Sequence, residues 1–426
     1  MSSGKSLAER ALAFGRDVYY GHGKIEILPK VLVRGMDDLA AAYTPGVGHV
    51  VRHLLEHPEE LSQQSAKDNL VAIVTDGTAV LGLGNAGPHA AVPVMEGKAT
   101  MFKMLVGIDC MPLCLKTSGE DAFVDAVNAL EPSFGGFNLE DVAAPSCFNI
   151  MKRLEQSLPV PVIHDDQYGT ATVITAALSN ALRVTGKSVG DVRVVVNGIG
   201  AAGAATIDML EGLGIGEITA VDKQGILHPD DNPAHAHWRD IAERTNQSRL
   251  RGDLTTAMAG ADAFVGVSVA GIVSPSMVRS MARDPIVFGL ANPEPEIMPD
   301  DAVAAGAAVT ASGRFDFPNH CNNVLAFPSL MRGALDVKAK RISREMCLAA
   351  ARKIAGLVPE DQVSATNLLP SPLDDDLYPE VSEAVAQAAT REDLARVVVP
   401  ERAVAENTRR LRNLVARRLN DLKELS

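Results

Sequence analysis

The chain has 426 residues, 46% hydrophobic and 22% charged, the proportions of a globular protein of two to three domains, which excludes a disordered or fibrous chain. A net charge of −13 repels phosphate backbones and anionic lipid, and aromatics at 4% supply no stacking platform, so nucleic acid and membrane surfaces are excluded as partners. Five cysteines without a C-x-x-C pair exclude a disulfide framework and point to a reducing, cytoplasmic setting; Met1–Ser6 carries no apolar leader, and no apolar run is long enough to span a bilayer.

Residues 70–75 read as a buried strand ending at Asp76-Gly77. Cys110 and Cys114 lie in an apolar run and read as buried, inert thiols. Residues 119–130 repeat apolar positions three to four apart and predict a helix; 160–164 predict a strand ending at Asp165-Asp166, followed by a long apolar helix from about Thr170 to Leu182. Val192–Val196 is a β-branched run suited to a parallel strand buried on both faces. Further strands are expected at 217–221, 262–267, 285–290 and 307–311, with helices between most of them. A charged helix over about 401–425 carries Leu411, Leu414, Val415, Leu419 and Leu422 on an apolar stripe that suits packing on the body or on a second subunit. The pattern is α/β in two domains: an N-terminal α/β substrate domain (1–160), a Rossmann-type doubly wound parallel sheet (161–390) and a C-terminal helical segment (391–426).

The clearest mechanism-bearing motif is Asn197-Gly198-Ile199-Gly200-Ala201-Ala202-Gly203, placed between the Val192–Val196 strand and an Ala-rich helix. Gly198 permits the turn, Gly200 lets backbone approach a pyrophosphate, Ala202 lies in the same turn, and Gly203 allows close helix–strand packing. The helix N-terminus adds N–H donors and positive dipole. Asp222 ends the next predicted strand, where an acid meets the adenosine ribose hydroxyls; this favours NAD, with NADP the alternative because Lys223 follows. Gly82–Gly87 has a similar glycine spacing, but Pro88 and the missing acid make it a tight loop that a ligand approaches.

Glu140-Asp141 and Asp165-Asp166 are adjacent carboxylates at element ends, which are ordinary caps or, together, hard oxygen ligands for Mg²⁺ or Mn²⁺. Lys98, after Gly97 in an apolar stretch, is either a surface lysine or a partly desolvated base. Tyr43, at the Pro45-Gly46 turn, is a proton donor or an amphipathic surface group.

Tyr43–Val47, Thr75–Asn85, Pro93–Lys98, Leu139–Asp141, His164–Gln167, Gly198–Gly203 and Asn322–Val324 occur in an order that resembles the short bacterial form of malic enzyme from about residue 20 to 390. The resemblance implies oxidative decarboxylation of (S)-malate to pyruvate and CO₂ with NAD(P) and Mg²⁺ or Mn²⁺, in a dimer or larger homo-oligomer. It implies Lys98 as the base, Asp165 as its support and Tyr43 as the acid that protonates the enolate. It further implies Glu140, Asp141 and Asp166 as metal ligands, Asn292 and Asn323 as substrate contacts, and Asn292 also beside the cofactor. Tyr168, His320 and Cys321 depart from the usual family residues, and the Gly82–Gly87 loop has no arginine. The rival readings are an NAD-dependent amino-acid dehydrogenase, which needs no metal, a non-catalytic NAD(P)-binding sensor, and a malolactic-type lyase with no net redox change.

Overall fold

The computed structural model describes residues 23–80, 82–231, 233 and 235–425, with backbone alone for 422–425. The leader reading at Met1–Ser6, Leu81, and the side chain of Leu422 lie outside the described residues. The first sheet comprises β1 (Leu70–Thr75), β2 (Asp109–Cys114), β3 (Gly136–Leu139) and β4 (Val162–His164). Their order is β2-β1-β3-β4, all parallel. The second sheet holds β5 (Arg193–Asn197), β6 (Glu217–Asp222), β7 (Gly225–Ile226), β8 (Ala263–Gly266), β9 (Ile286–Gly289) and β10 (Val309–Ser312). Its order is β10-β9-β8-β5-β6-β7, parallel except for the hairpin partner β7. Each parallel pair needs a crossover, and helices supply it, leaving the strands buried on both faces.

β1 shows how the sequence divides between the layers. Val71 and Ile73 face a core shared with Phe102, Phe327 and Leu330, while Ala72 and Val74 face Phe123, Phe137 and Leu178. That is the two-residue alternation of a strand clad on both sides. The helix Thr170–Thr185 is almost wholly buried, because some of its apolar residues pack into a core shared by both sheets and others pack with the helix Arg344–Gly356. It begins directly after the turn Asp165–Gly169 and so fixes that turn at the junction of the sheets.

Three features differ from the sequence-based expectation. β2 and β3 were not expected: β2 is an edge strand containing Pro112, tolerated because one side makes no ladder bonds, and β3 is only four residues long. The expected division at residue 160 precedes β4, which pairs with β3 in the first sheet. The helices Phe327–Asp336 and Leu377–Arg391, expected in the second unit, return to pack around the helix Gly87–Val106, and Ala403–Leu425 joins them, which is the packing on the body that its apolar stripe allows.

The last of these helices is tied to its neighbour by charge. Glu380 accepts from Arg402 at 2.7 Å and from Arg409 at 2.9 Å. The Arg402 hydrogen bond holds its carboxyl down at about 2. A depressed carboxyl stabilises the fold above its unfolded value of about 4.3 and loses that contribution as pH falls through its folded value. Melting temperature is therefore expected to drop between about pH 4.5 and 2, and the drop to be shallower in Glu380→Gln. Equal acid slopes in scanning calorimetry would show that Glu380 carries none of it.

Candidate active site

A cavity of about 470 Å³ lies where the carboxyl edges of the two sheets meet. This is where open α/β sheets place ligands, because loops diverge there and helix N-termini point inward. Glu140 and Asp141 reach it from the end of β3, Asp166 from the turn after β4, and Asn292 from the segment after β9. Lys98 enters from the middle of the helix Gly87–Val106, and Asn323 from the short turn Asn323–Leu325.

Lys98 has a side chain 9% exposed; its Nζ lies 2.5 Å from Asp165 Oδ2 and 2.8 Å from Glu140 Oε1. It also sits 4.1 Å from the centre of the Phe327 ring, a cation–π contact that fixes the head group. Burial works against the ammonium, but the Asp165 and Glu140 carboxylates outweigh it and hold the lysine above its ordinary value. Burial, with Asp165 and Asp166 alongside, pushes the Glu140 carboxyl well up against the pull of Lys98. Asp165 Oδ2 also accepts from Asn323 Nδ2 at 2.6 Å, so Asn323 steadies the carboxylate that faces the lysine as well as lining the cleft.

Asp165 Oδ1 occupies the space where residue 169 would carry a Cβ, at 1.6 Å. Gly169 has ordinary helical angles, so its glycine answers to this contact and not to backbone strain. Gly169→Ala is expected to keep the fold and lower kcat/KM by about 10²-fold, because an ångström of displacement at the Lys98 partner is felt in the chemistry. Unchanged kinetics with unchanged circular dichroism would mean that Asp165 rotates away at no cost.

Glu140, Asp141 and Asp166 bring one carboxylate oxygen each within 4.8 Å of one another. Asp141 adopts φ 55°, a left-handed angle tolerated by aspartate, and its N–H donates to Asp166 Oδ2 at 2.8 Å. Asn138 Nδ2 donates to Glu140 Oε2 at 2.9 Å. Counting Asp165, four carboxylates crowd one ammonium in a largely buried space, a charge excess that a divalent cation would relieve. The donors are all hard oxygen, which fits Mg²⁺ or Mn²⁺ and not a thiophilic ion.

Sequence reasoning assigned no role to His164 or Gln167. His164 is fully buried, and Gln167 Nε2 donates to its Nδ1 at 2.9 Å. That bond leaves the ring proton on Nε2, 3.4 Å from Asp166 Oδ2. Cys321 lines the cleft, where burial pushes its thiol up to about 12, so it is neutral and unreactive at neutral pH.

The glycine turn opens onto a second cleft of about 670 Å³, bordered by Gly198, Gly200, Asp222 and Ser268. Gly198 has φ 96°, and a Cβ on Gly203 would stand 1.8 Å from the Gly198 carbonyl oxygen, so both positions require glycine. Trp238 Nε1 donates to the Ile199 carbonyl at 2.9 Å and pins the turn, a role that its being the lone tryptophan did not signal. Asp222 Oδ1 accepts from Gln224 N at 2.7 Å, which orients the carboxylate at the strand end. Ala202 faces the cleft that holds Lys98, not this one. The Gly82–Gly87 loop meets protein: a Cβ at Gly82 would stand 2.7 Å from the Asn292 carbonyl oxygen, so the loop touches the second unit across the cleft.

Tyr43 is not among the described residues lining either cleft and is 69% exposed, at the end of the helix Met36–Ala42. The helices Met36–Ala42 and Gly46–Glu56 bury no residue. Ile27, Leu32, Met36, Val51 and Leu55 all stand more than half exposed on this arm.

A dinucleotide turn beside a desolvated lysine and a carboxylate cluster places the chain among nucleotide-dependent oxidoreductases. Residues 22–155 match the malic enzyme N-terminal domain and residues 167–393 the malic enzyme NAD-binding domain. The chain is 49% identical to a bifunctional malic/malolactic enzyme of Bacillus subtilis, over 95% of its own length and 98% of the relative's. It is 48% identical to an NAD-dependent malic enzyme of Geobacillus stearothermophilus, over 88% of this chain and 78% of that one. A crystal structure of malic enzyme from Pyrococcus horikoshii Ot3 superimposes with a TM-score of 0.92 at 40% identity, covering 99% of this chain and all of the other. The chain belongs to the malic enzyme family, and its activity is NAD(P)-dependent oxidative decarboxylation of malate. The amino-acid dehydrogenase and sensor readings are not favoured.

Proposed function

We propose that Lys98 is the base of a metal-dependent reaction on (S)-malate, supported by Asp165, with Tyr43 the acid, Glu140, Asp141 and Asp166 the cation ligands, and Asn292 and Asn323 the substrate contacts. The observation that carries this is the contact of Lys98 with two buried carboxylates at the meeting of both carboxyl edges. Lys98 takes the proton of the C2 hydroxyl, and a bound nicotinamide would supply the acceptor for the C2 hydride. A divalent cation, when bound, would supply Lewis acidity toward the 2-oxo acid and offset substrate charge. Glu140 cannot serve a cation and the ammonium at full strength, so ligand duty at Glu140 favours the neutral amine that a base requires. Asp165, gripped by Asn323, keeps Lys98 aimed, and Tyr43 returns a proton at C3.

Asp222 at the end of β6 favours NAD over NADP, because its charge opposes a 2′-phosphate. The free thiols of all five cysteines suit a cytoplasmic enzyme. No helix among the described residues is long and apolar enough to cross a membrane.

We also propose a homodimer in which the arm 23–56 lies on a second copy and carries Tyr43 into that copy's cleft. Two observations support this: the cleft of one chain holds a base without Tyr43, and the segment that bears Tyr43 leaves its apolar side chains uncovered.

The test follows reduced nicotinamide with malate and NAD or NADP, with Mn²⁺ and then excess EDTA, assaying pyruvate and lactate in the same tubes. Reduced cofactor equimolar with pyruvate, abolished by EDTA and faster with NAD, is expected. Lactate without net reduced cofactor would favour the malolactic reading, and EDTA-resistant turnover would remove the cation from the mechanism.

A further inference from the structure

One buried carboxyl group outside the proposed machinery lies beside the segments that border both clefts. Glu296 is fully buried and has no cationic partner among the described residues. Its Oε1 accepts from the backbone N–H of Ser268 at 2.7 Å and from the Ser268 hydroxyl at 3.1 Å, and its Oε2 accepts from the N–H of Ala291 at 3.0 Å. Asn197, the first residue of the glycine turn, donates to Ser268 Oγ at 2.6 Å. The backbone reinforces the link: Val273 N donates to the Glu296 carbonyl and Gly271 N to that of Pro295, each at 3.0 Å. The carboxyl lies flat on the end of β8, where a Cβ on Gly266 would come within 2.5 Å of its Cδ.

Ser268 borders both the nucleotide cleft and the catalytic cleft, while Ala291 and Asn292 border the catalytic one. Isolating a carboxylate from water is costly, and neutral donors sustain it only when they are aimed at it. The donors here come from the two segments, after β8 and after β9, that border the place where the two clefts adjoin.

We propose that Glu296 is a positioning residue that sets the 266–268 and 290–292 segments at the nicotinamide end of the cleft, coupling cofactor placement to substrate placement through Ser268 and Asn292. This rests on the reading of the two clefts as nucleotide and malate sites. Glu296 lines neither cleft and acts through the N–H groups it holds.

Glu296→Gln is the decisive variant because it keeps the shape and turns one acceptor into a donor. A glutamine nitrogen must then face the N–H of Ser268 or of Ala291, and one segment moves. Calorimetric titration of wild type and variant with ADP-ribose, and with the NAD(P) the enzyme reduces, separates the two ends of the cofactor. ADP-ribose occupies only the half between Gly198 and Asp222. It is expected to bind the variant within about twofold of wild type, while the full dinucleotide binds about tenfold more weakly and KM for malate rises about tenfold with a smaller change in kcat.

A variant with lowered melting temperature but wild-type affinities and KM would make Glu296 a structural knot and overturn the proposal. Equal weakening of ADP-ribose and dinucleotide would overturn it too, by placing the effect on the glycine turn. If the glutamine variant does not fold, Glu296→Asp keeps the carboxylate but withdraws it from the N–H groups of Ser268 and Ala291, leaving the Asn197–Ser268 bond in place. This variant is expected to weaken the dinucleotide about threefold and spare ADP-ribose, and no such split would be a refutation. Wild-type protein that binds nucleotide without oxidising malate would overturn the functional reading instead, since the two binding constants need no turnover.

Discussion

Replacing Lys98 by alanine is expected to lower kcat by about 10³-fold while NAD(P) affinity stays near wild type. The chemical loss follows from removing the group that accepts the hydroxyl proton. The cofactor is spared because Gly198, Gly200 and Asp222 belong to the other sheet. The same change withdraws the ammonium that compensates Asp165 and Glu140 inside the protein. Breaking a buried pair from one side typically costs about 3–5 kcal/mol, so melting temperature is expected to fall as well. Lys98→Arg separates the two effects, because guanidinium keeps the charge and does not deprotonate near neutrality. Stability recovered without activity would confirm both roles, whereas turnover near wild type in either variant would remove Lys98 from the mechanism. Reduced cofactor, pyruvate and thermal unfolding are the three readouts.

Mixing two inactive variants is expected to restore activity. If Tyr43 works in the partner's cleft, Lys98→Ala and Tyr43→Phe each inactivate both sites of their homodimer. A mixed dimer, however, contains one site with a tyrosine and a lysine together. Random reassortment of equal amounts should then return about a quarter of wild-type activity, since half the dimers are mixed and each has one competent site of two. No recovery after verified subunit exchange would place Tyr43 in its own chain's site or outside the chemistry. The exposed tyrosine and the uncovered apolar residues of the arm are what make this result expected.

How far the sequence reveals this arrangement depends on how local each signal is. β1, β5, β6, β8 and β9 announce themselves as short β-branched or apolar runs, because a strand buried on both faces has little choice of residue. The glycine turn is equally legible, since Gly198 and Gly203 satisfy contacts within a few residues of themselves. β2 is obscured by Pro112 at a sheet edge, and β3 by its brevity. Lys98 and the carboxylate pairs stand out by chemistry and order, but their convergence depends on packing that links residue 98 to 165 and 323. Glu296 leaves no local trace, because its partners Ser268 and Ala291 sit on neighbouring strand ends that only the sheet order brings together. Gly169 passes for one more helical residue until Asp165 is seen filling its missing side chain.

The return of the C-terminal helices onto the first sheet has a consequence for how the chain is made. Val71, Ile73 and Phe102 leave the ribosome early, yet their apolar layer is completed by Phe327, Leu330, Tyr378, Val385 and Val404. At about 5–20 residues per second, those partners follow on the order of tens of seconds later. The nucleotide-binding sheet, whose strands lie close together in sequence, is complete in the nascent chain while the half emitted first still exposes one side of its core. Synthesis order and folding order are therefore inverted. A chain that stops before Phe327 lacks every one of those later partners of Val71, Ile73 and Phe102.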